Sequence, residues 1–423
     1  MPDSRVGDLV EHLFRHEAGR LVAVLTRHLG PARLDLAEEA VQEALLAALA
    51  TWPFRGVPDR PAAWLFQAAR NRALDALRRG ATAGAATADI ISLEQTRLAR
   101  LPEPALRGEL DDDLLGLMFA CCHPDLRADD RVALTLKTVC GFSVGEIARG
   151  FLRTEATLAQ RLVRAKRRLA AAGATFEVPG GAALQPRLAA VLRTIYLMFN
   201  EGYYPSEGDA AVRDDLCAEA VRLAELLAEH PATAGPEVDA LCALLLLQGA
   251  RLPARVDAAG ELLLLDGQDR GRWRQDWIAR GFARLRGAMA AEALGVYHAQ
   301  AGIAGCHAAA ARFEDTDWAA IVHHYGVLRR LEPSTLLEIN RAAALAMRDG
   351  PQAGLALLDD LPGAFEGPER ALALATRGDL LRRAGRHGEA AACFGAALEC
   401  PLSAPVRRFF ERRLSSSGCE STC

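Results

Sequence analysis

Residues 153–168 read RTEATLAQRLVRAKRR and hold six cations, Arg153, Arg161, Arg164, Lys166, Arg167 and Arg168, against one acid, Glu155. Guanidinium and ammonium groups at this density bind anions. In a chain whose formal net charge is -4, such a local stripe points first to nucleic acid. Arg and Gln carry the donors that read guanine and adenine edges, while Lys166, Arg167 and Arg168 suit phosphates. A solvated basic face, or a surface for an acidic protein, has the same composition, so the surrounding elements must decide.

Those elements read as a helix-turn-helix. In RVALTLKTVCGFSVGEIARGFLRTEATLAQRLVRAKRRL a support helix leads to a turn at Gly141. Ser143 then caps a short helix, and Thr154 caps the basic one. Ile147, Ala148 and Phe151 are expected to pack against Leu158 and Leu162, leaving Thr157, Gln160, Arg161 and Arg164 on the outer face. A helix presented this way fits the major groove.

A second polar group lies upstream. LAEEAVQEALLAALATW places Glu38, Glu39, Gln42 and Glu43 in the first turns of a helix, where the dipole favours acids. Asp35 is expected to cap it and Trp52-Pro53 to end it. RGVPDRP is turn-rich. Pro61 then opens PAAWLFQAARNRALDALRRG, a helix stopped by Gly80. Before these, residues 5–30 read as an amphipathic helix pair carrying Leu9, Val10, Leu13, Phe14, Leu21, Val22, Leu25 and Leu29, ended at Gly30-Pro31.

EATLAQRLVRAKRRL resembles the end of region 4 in RNA polymerase sigma factors of the extracytoplasmic-function type, with Ala159 and Gln160 where that family usually has a basic residue and Ser. The upstream pair resembles sigma region 2. The resemblance implies that Glu38, Glu39, Gln42 and Glu43 dock on the β′ clamp helices of core polymerase. It implies that Trp64, Gln67, Arg70, Asn71, Arg72, Arg78 and Arg79, with Asp75 among them, line the melted -10 element. Thr157, Gln160, Arg161, Arg164, Lys166, Arg167 and Arg168 then contact the -35 element, with the β flap as a further polymerase partner. Single-stranded DNA needs cations for phosphates and planar or amide groups for an extruded base, which these residue types supply. Taken alone, Trp64 is as well explained as a core residue.

The rest of the chain is helical by pattern, with loops at NEGYYPSEGD, EHPATAGPE, LLDGQDRGRW and RLEPS. Near its end two segments repeat. In the second, Leu374, Gly378, Leu381, Gly385, Ala390, Phe394 and Ala397 fall where a tetratricopeptide repeat packs. AVLRTIYLMFNEGYYPSEGD, LLLLDGQDRGRW and these repeats resemble the group of such sigma factors with a tetratricopeptide-like extension. The resemblance implies an extension that contacts the sigma core and regulates it. Asn200, Glu201, Tyr203 and Tyr204 are read as a loop that anchors an interdomain contact or lines a pocket, and a capped helix turn accounts for them equally well.

The expected fold is all-α. Residues 1–82 form a region 2 bundle, 83–110 a linker, 111–175 a region 4 module, 181–330 a helical extension, 331–414 the repeats and 415–423 a tail. Apolar runs such as LCALLLLQGA fall short of the roughly 18 residues of a membrane helix, and MPDSRVGDLVEHLF lacks a secretory pattern. A cytoplasmic protein with reduced cysteines is expected. Cys121-Cys122-His123 lacks a second ligand pair, so no metal or cofactor is expected. No Walker loop or nucleophile elbow suggests an enzyme. Expected partners are core polymerase, promoter DNA and a protein partner for the repeats. The alternative is a helix-turn-helix regulator with a helical ligand-binding or interaction domain.

Overall fold

The computed structural model describes residues 4–30, 33–81, 96, 98, 107–150, 154–204, 211–366 and 369–419. These residues are overwhelmingly helical, as a chain rich in Ala, Leu and Arg favours. Among them there is no strand, only an isolated bridge between Val256 and Leu262. The chain divides into two compact units, residues 1–198 and 199–423.

The first unit begins with α1 (Ser4–Leu29), α2 (Leu34–Arg55) and α3 (Pro61–Ala81). The helix pair expected over residues 5–30 is one continuous helix. Gly19 does not break it; a Cβ there would overlap the Val139 carbonyl oxygen, so this glycine serves close packing. α2 runs through Pro53 to Arg55 and stops at Gly56, whose φ is 83° and whose N–H reaches the Trp52 carbonyl at 3.0 Å. Asp35 lies inside the first turn and caps nothing; Arg33 holds the N-cap position. Leu25, Leu34, Ala37, Val41, Leu45, Leu65, Phe66 and Ala69 are buried in this three-helix core.

A second group follows in the same unit: α4 (Arg107–Cys121), α5 (Ala128–Thr138), α6 (Val144–Gly150) and α7 (Glu155–Ala171). Gly141, with φ of 72°, makes the turn between α5 and α6. Thr154 caps α7, its hydroxyl accepting from the Thr157 N–H at 3.2 Å. Leu158, Leu162, Ala165 and Leu169 form the buried stripe of α7. Ile147 and Ala148 are buried as well, while Phe151 lies outside the described residues. The expected linker is mostly outside them too. Packing of α1 on α4, and a 2.6 Å ion pair between Arg27 and Asp113, join the two groups.

α8 (Leu184–Tyr203) carries the boundary between units at residues 198 and 199. The second unit continues with α9 (Asp214–Glu229), α10 (Pro236–Gly249), α11 (Gln275–Ala288), α12 (Val296–Ala309) and α13 (Trp318–Leu331). LCALLLLQG is buried almost all round, because α9, α11 and α12 pack on different sides of α10. None of the described helices is long and apolar enough to cross a membrane.

Two helical hairpins close the unit: α14 (Thr335–Asp349) with α15 (Pro351–Asp359), and α16 (Arg370–Arg383) with α17 (His387–Leu398). α18 (Ala404–Cys419) follows. Gly350 and Gly385, both with positive φ, make the corresponding turns. Ile339, Ala342, Leu358, Leu381, Ala390, Phe394 and Ala397 share one core. The Phe394 ring lies 3.0 Å from where a Cβ on Gly378 would sit, which explains why a glycine stands there.

Candidate nucleic-acid and polymerase interfaces

On α7 the exposed residues include Thr157, Gln160, Arg164, Arg167 and Arg168. Arg153 lies outside the described residues. Arg161 does not stand on the outer face as its spacing suggested. Its side chain is 11% exposed and turns towards α5, where Nε and Nη2 donate to Asp130 at 3.0 and 2.8 Å. Arg127 reaches the same carboxylate at 3.2 Å. Burial alone would raise the Asp130 carboxyl, but Arg161 and Arg127 outweigh it and hold the group below its usual range. Arg127, Arg161, Arg164 and Arg168 thus line one cleft around a single buried acid. The four guanidinium groups exceed Asp130 and the exposed Asp129, which Arg161 meets at 3.5 Å, so the cleft suits a further anion such as a phosphate.

Lys166 turns inward as well. Its ammonium donates to Glu38 at 2.5 Å and to Asp35 at 2.6 Å. The Thr138 hydroxyl donates to the other Glu38 oxygen at 2.6 Å. Burial pulls the Lys166 pKa down, yet Glu38 and Asp35 more than compensate, and the net shift is upward. A residue expected to meet DNA phosphate therefore holds a residue expected to meet polymerase. A hydroxyl contact from Thr138, the last residue of α5, completes the lock.

On α2, Glu39 and Gln42 are exposed and Glu43 is half-buried, with Arg72 of α3 at 3.5 Å. Leu46 and Leu49 continue the stripe of Glu39 and Gln42 at helical spacing and are 64% and 43% exposed; Phe54, just beyond, is 86% exposed. These apolar residues were missed in the sequence, although the spacing from residues 39 and 42 could have led to the two leucines. On α3, Asn71, Arg72, Arg78 and Arg79 are exposed, and Gln67 and Arg70 are half-buried. Arg78 pairs with Asp75 at 3.1 Å. Trp64 is half-buried, its ring edge-on to the buried Trp52 at 5.5 Å between centroids. It is a shelf with one side in the core and one facing out.

Of the two readings of residues 200–204, loop and helix turn, the structure has the helix turn. Asn200, Glu201 and Tyr203 form the last turn of α8, and Tyr204 follows directly, its N–H donating to the Asn200 carbonyl at 2.8 Å. Tyr203 is fully buried, stacked on Phe199 at 5.6 Å and edge-on to Tyr204 at 4.9 Å. The Arg255 guanidinium lies over both tyrosine rings, 3.9 and 4.4 Å from their centroids. Nothing in the spacing of residues 200–204 announced a partner fifty positions on. Cys121 and Cys122 are buried, and burial pushes both thiols up; among the described residues no group of three could hold a metal.

Comparison with known proteins agrees with this arrangement. Residues 13–82 match sigma-70 region 2, residues 117–169 match sigma-70 region 4, and residues 187–289 match a family of unknown function, DUF6596. An uncharacterized protein of Rhizobium meliloti (strain 1021) is 42% identical over 389 residues, covering 92% of this chain and 91% of that protein. No solved structure matches the chain. The helical pair bearing Trp64 and the capped basic helix after Gly141 are thus regions 2 and 4 in their usual order, and the chain belongs to the sigma-70 family of RNA polymerase sigma factors, with a C-terminal extension.

Proposed function

We propose that this sigma factor is of the extracytoplasmic-function type, acts in the cytoplasm without catalysis of its own, and is held in a closed form when free. The observation that carries the closed form is the set of contacts from Lys166 and Thr138 to Glu38. Glu38 cannot meet polymerase, nor Lys166 a phosphate, while each is bonded to the other. Binding to core polymerase and promoter would exchange these contacts for intermolecular ones.

In the open form, Glu39, Gln42 and Glu43 with Leu46 and Leu49 offer the β′ clamp helices an acidic and apolar stripe. Exposed leucines flanked by acids are what a docking helix needs and what a solvated face avoids. Trp64, Gln67, Arg70, Asn71, Arg72, Arg78 and Arg79 hold melted -10 DNA. Thr157 and Gln160, at the N-terminal end of α7, read -35 base edges, while Arg164, Arg167 and Arg168 hold phosphates. Arg161 positions α7 on α5 through Asp130. The extension regulates initiation, and its two hairpins serve as a tetratricopeptide-like surface for a protein partner.

The test is reconstitution. Purified protein is mixed with core polymerase and a promoter identified by chromatin mapping. A stable holoenzyme that initiates supports the reading. Truncation near Gly180 is expected to leave a soluble but poorly active factor. Full activity of that fragment removes the regulatory role from the extension.

A further inference from the structure

The NEGYY and DGQDRGRW segments, unused by the sigma function, converge in the second unit. Arg255 is 5% exposed and covers Tyr203 and Tyr204. Trp273 is 4% exposed, with the guanidinium of Arg270 4.5 Å and that of Arg251 5.8 Å from its ring. Arg270 is fixed by donating to the carbonyls of His307 and Ala310 at 2.6 and 2.7 Å. The intervening loop is pinned by the Leu263 N–H on the Arg255 carbonyl at 2.8 Å and by the Arg274 N–H on the Ala250 carbonyl at 2.9 Å.

Three guanidinium groups share this small region, and among the described residues none of them has a carboxylate partner. Of the nearby acids, Asp214 pairs with Arg274, Asp215 with Arg213 and Asp315 with Arg312, while Glu314 acts on Arg270 only through space, without an ion pair to it among the described residues. Buried donors are left over. The Nε of Arg251 and Arg255, Nη2 of Arg270, Nε1 of Trp273 and the Tyr203 hydroxyl are buried with no hydrogen-bond partner among the described residues; so is Nδ1 of His307. Burial, reinforced by Arg251 and Arg270, lowers the His307 pKa to about 3, so the imidazole adds no further charge at neutral pH. Buried cations and N–H groups are normally paired.

We propose that this cluster is a binding site for the oxyanion of a small molecule, a phosphate or a carboxylate, set among Arg251, Arg255 and Arg270. The anion supplies the acceptors that the guanidinium and indole N–H groups lack, and Trp273 with the tyrosines flanks it. Burial decides against a polymer: a nucleic acid or acidic peptide cannot reach an arginine 5% exposed. The site lies partly within the family of unknown function matched over residues 187–289. It stands whether or not the extension regulates initiation, since its test reads binding alone.

The full-length protein is titrated with sodium phosphate or sodium succinate against sodium chloride at matched ionic strength. Thermal unfolding and tryptophan fluorescence are followed. The expected result is a Tm that rises with anion concentration for at least one of the two, as selective binding to the folded state requires. The anion that acts identifies the headgroup chemistry. Arg251→Gln and Arg270→Gln, each checked for unchanged circular dichroism, are expected to weaken the apparent affinity at least ten-fold, whereas Arg312→Gln, an exposed arginine paired with Asp315, leaves it unchanged. If either variant misfolds, Arg251→Lys, which keeps charge but loses the planar donors, is expected to show a smaller loss. The His307 ring resonances are expected to titrate at higher pH once the anion is bound. No shift beyond chloride with either anion, or undiminished shifts in both glutamine variants, overturns the proposal.

Discussion

Replacing Thr138 with valine tests the closed form with little collateral change. Thr138 is 2% exposed and belongs to neither the DNA nor the polymerase set. Valine keeps its branched shape and removes only the hydroxyl that donates to Glu38 at 2.6 Å. A hydrogen bond to an ionised group is worth about 1.5–3 kcal/mol, and each ~1.4 kcal/mol is a factor of ten. The closed-to-open ratio should therefore fall by roughly 10–150-fold. Where the closed form dominates, the apparent affinity for core polymerase rises by the same factor until the open form is the major species. The assay is a titration of core polymerase with the labelled factor, beside a thermal melt of the free protein. A lower Tm with unchanged polymerase affinity would refute the gating role and leave Thr138 a packing residue only.

Other outcomes follow from the same geometry. Arg164→Ala is expected to weaken promoter binding by roughly 5–150-fold, the ~1–3 kcal/mol of a lost contact, and to leave polymerase binding intact, as read by mobility shift and holoenzyme assembly. Leu46→Asp is expected to reduce polymerase affinity while the Tm stays within a few degrees, because Leu46 is 64% exposed. The Lys166 pKa is raised above 10.5, so its contribution is complete below that pH and is lost as the pH climbs through the folded value; the Asp130 carboxyl is lowered, so its contribution is complete above about 3.8 and disappears on acidification below it. Melts of the free protein taken through and above pH 10.5, and melts in acid, check these two directions. Phe394→Ala should cost about 3–5 kcal/mol and be visible by calorimetry as a destabilised second unit.

What the sequence disclosed was local. The Thr154 cap, the turn at Gly141 and the buried stripe through Leu158 and Leu162 follow from spacing within one or two helical turns, and they stand in the structure. The direction of Arg161 does not follow, because it is set by Asp130, thirty-one residues upstream. Lys166 finds Glu38 across 128 positions, a pairing no periodicity encodes. Helical spacing treats every cation on a face as equivalent; a nearby acid on another helix makes one a strut and leaves its neighbour free. Pro53 misled for a different reason. Near a helix end, a missing N–H costs one bond, and Gly56 supplies the stop three residues later. Continuity at Gly19 was likewise decided by what packs on it, the Val139 carbonyl.

The burial of α10 has a consequence for synthesis. Its leucine run needs α11 and α12 to cover it, so the second unit cannot close until residues near 309 have left the ribosome. The residues of regions 2 and 4 are complete by Ala171. At ~5–20 residues per second, the sigma part precedes its extension by on the order of ten seconds. During that interval the Glu38–Lys166 lock and the Arg27–Asp113 pair, which lie wholly within the first unit, are already available to restrain the nascent factor.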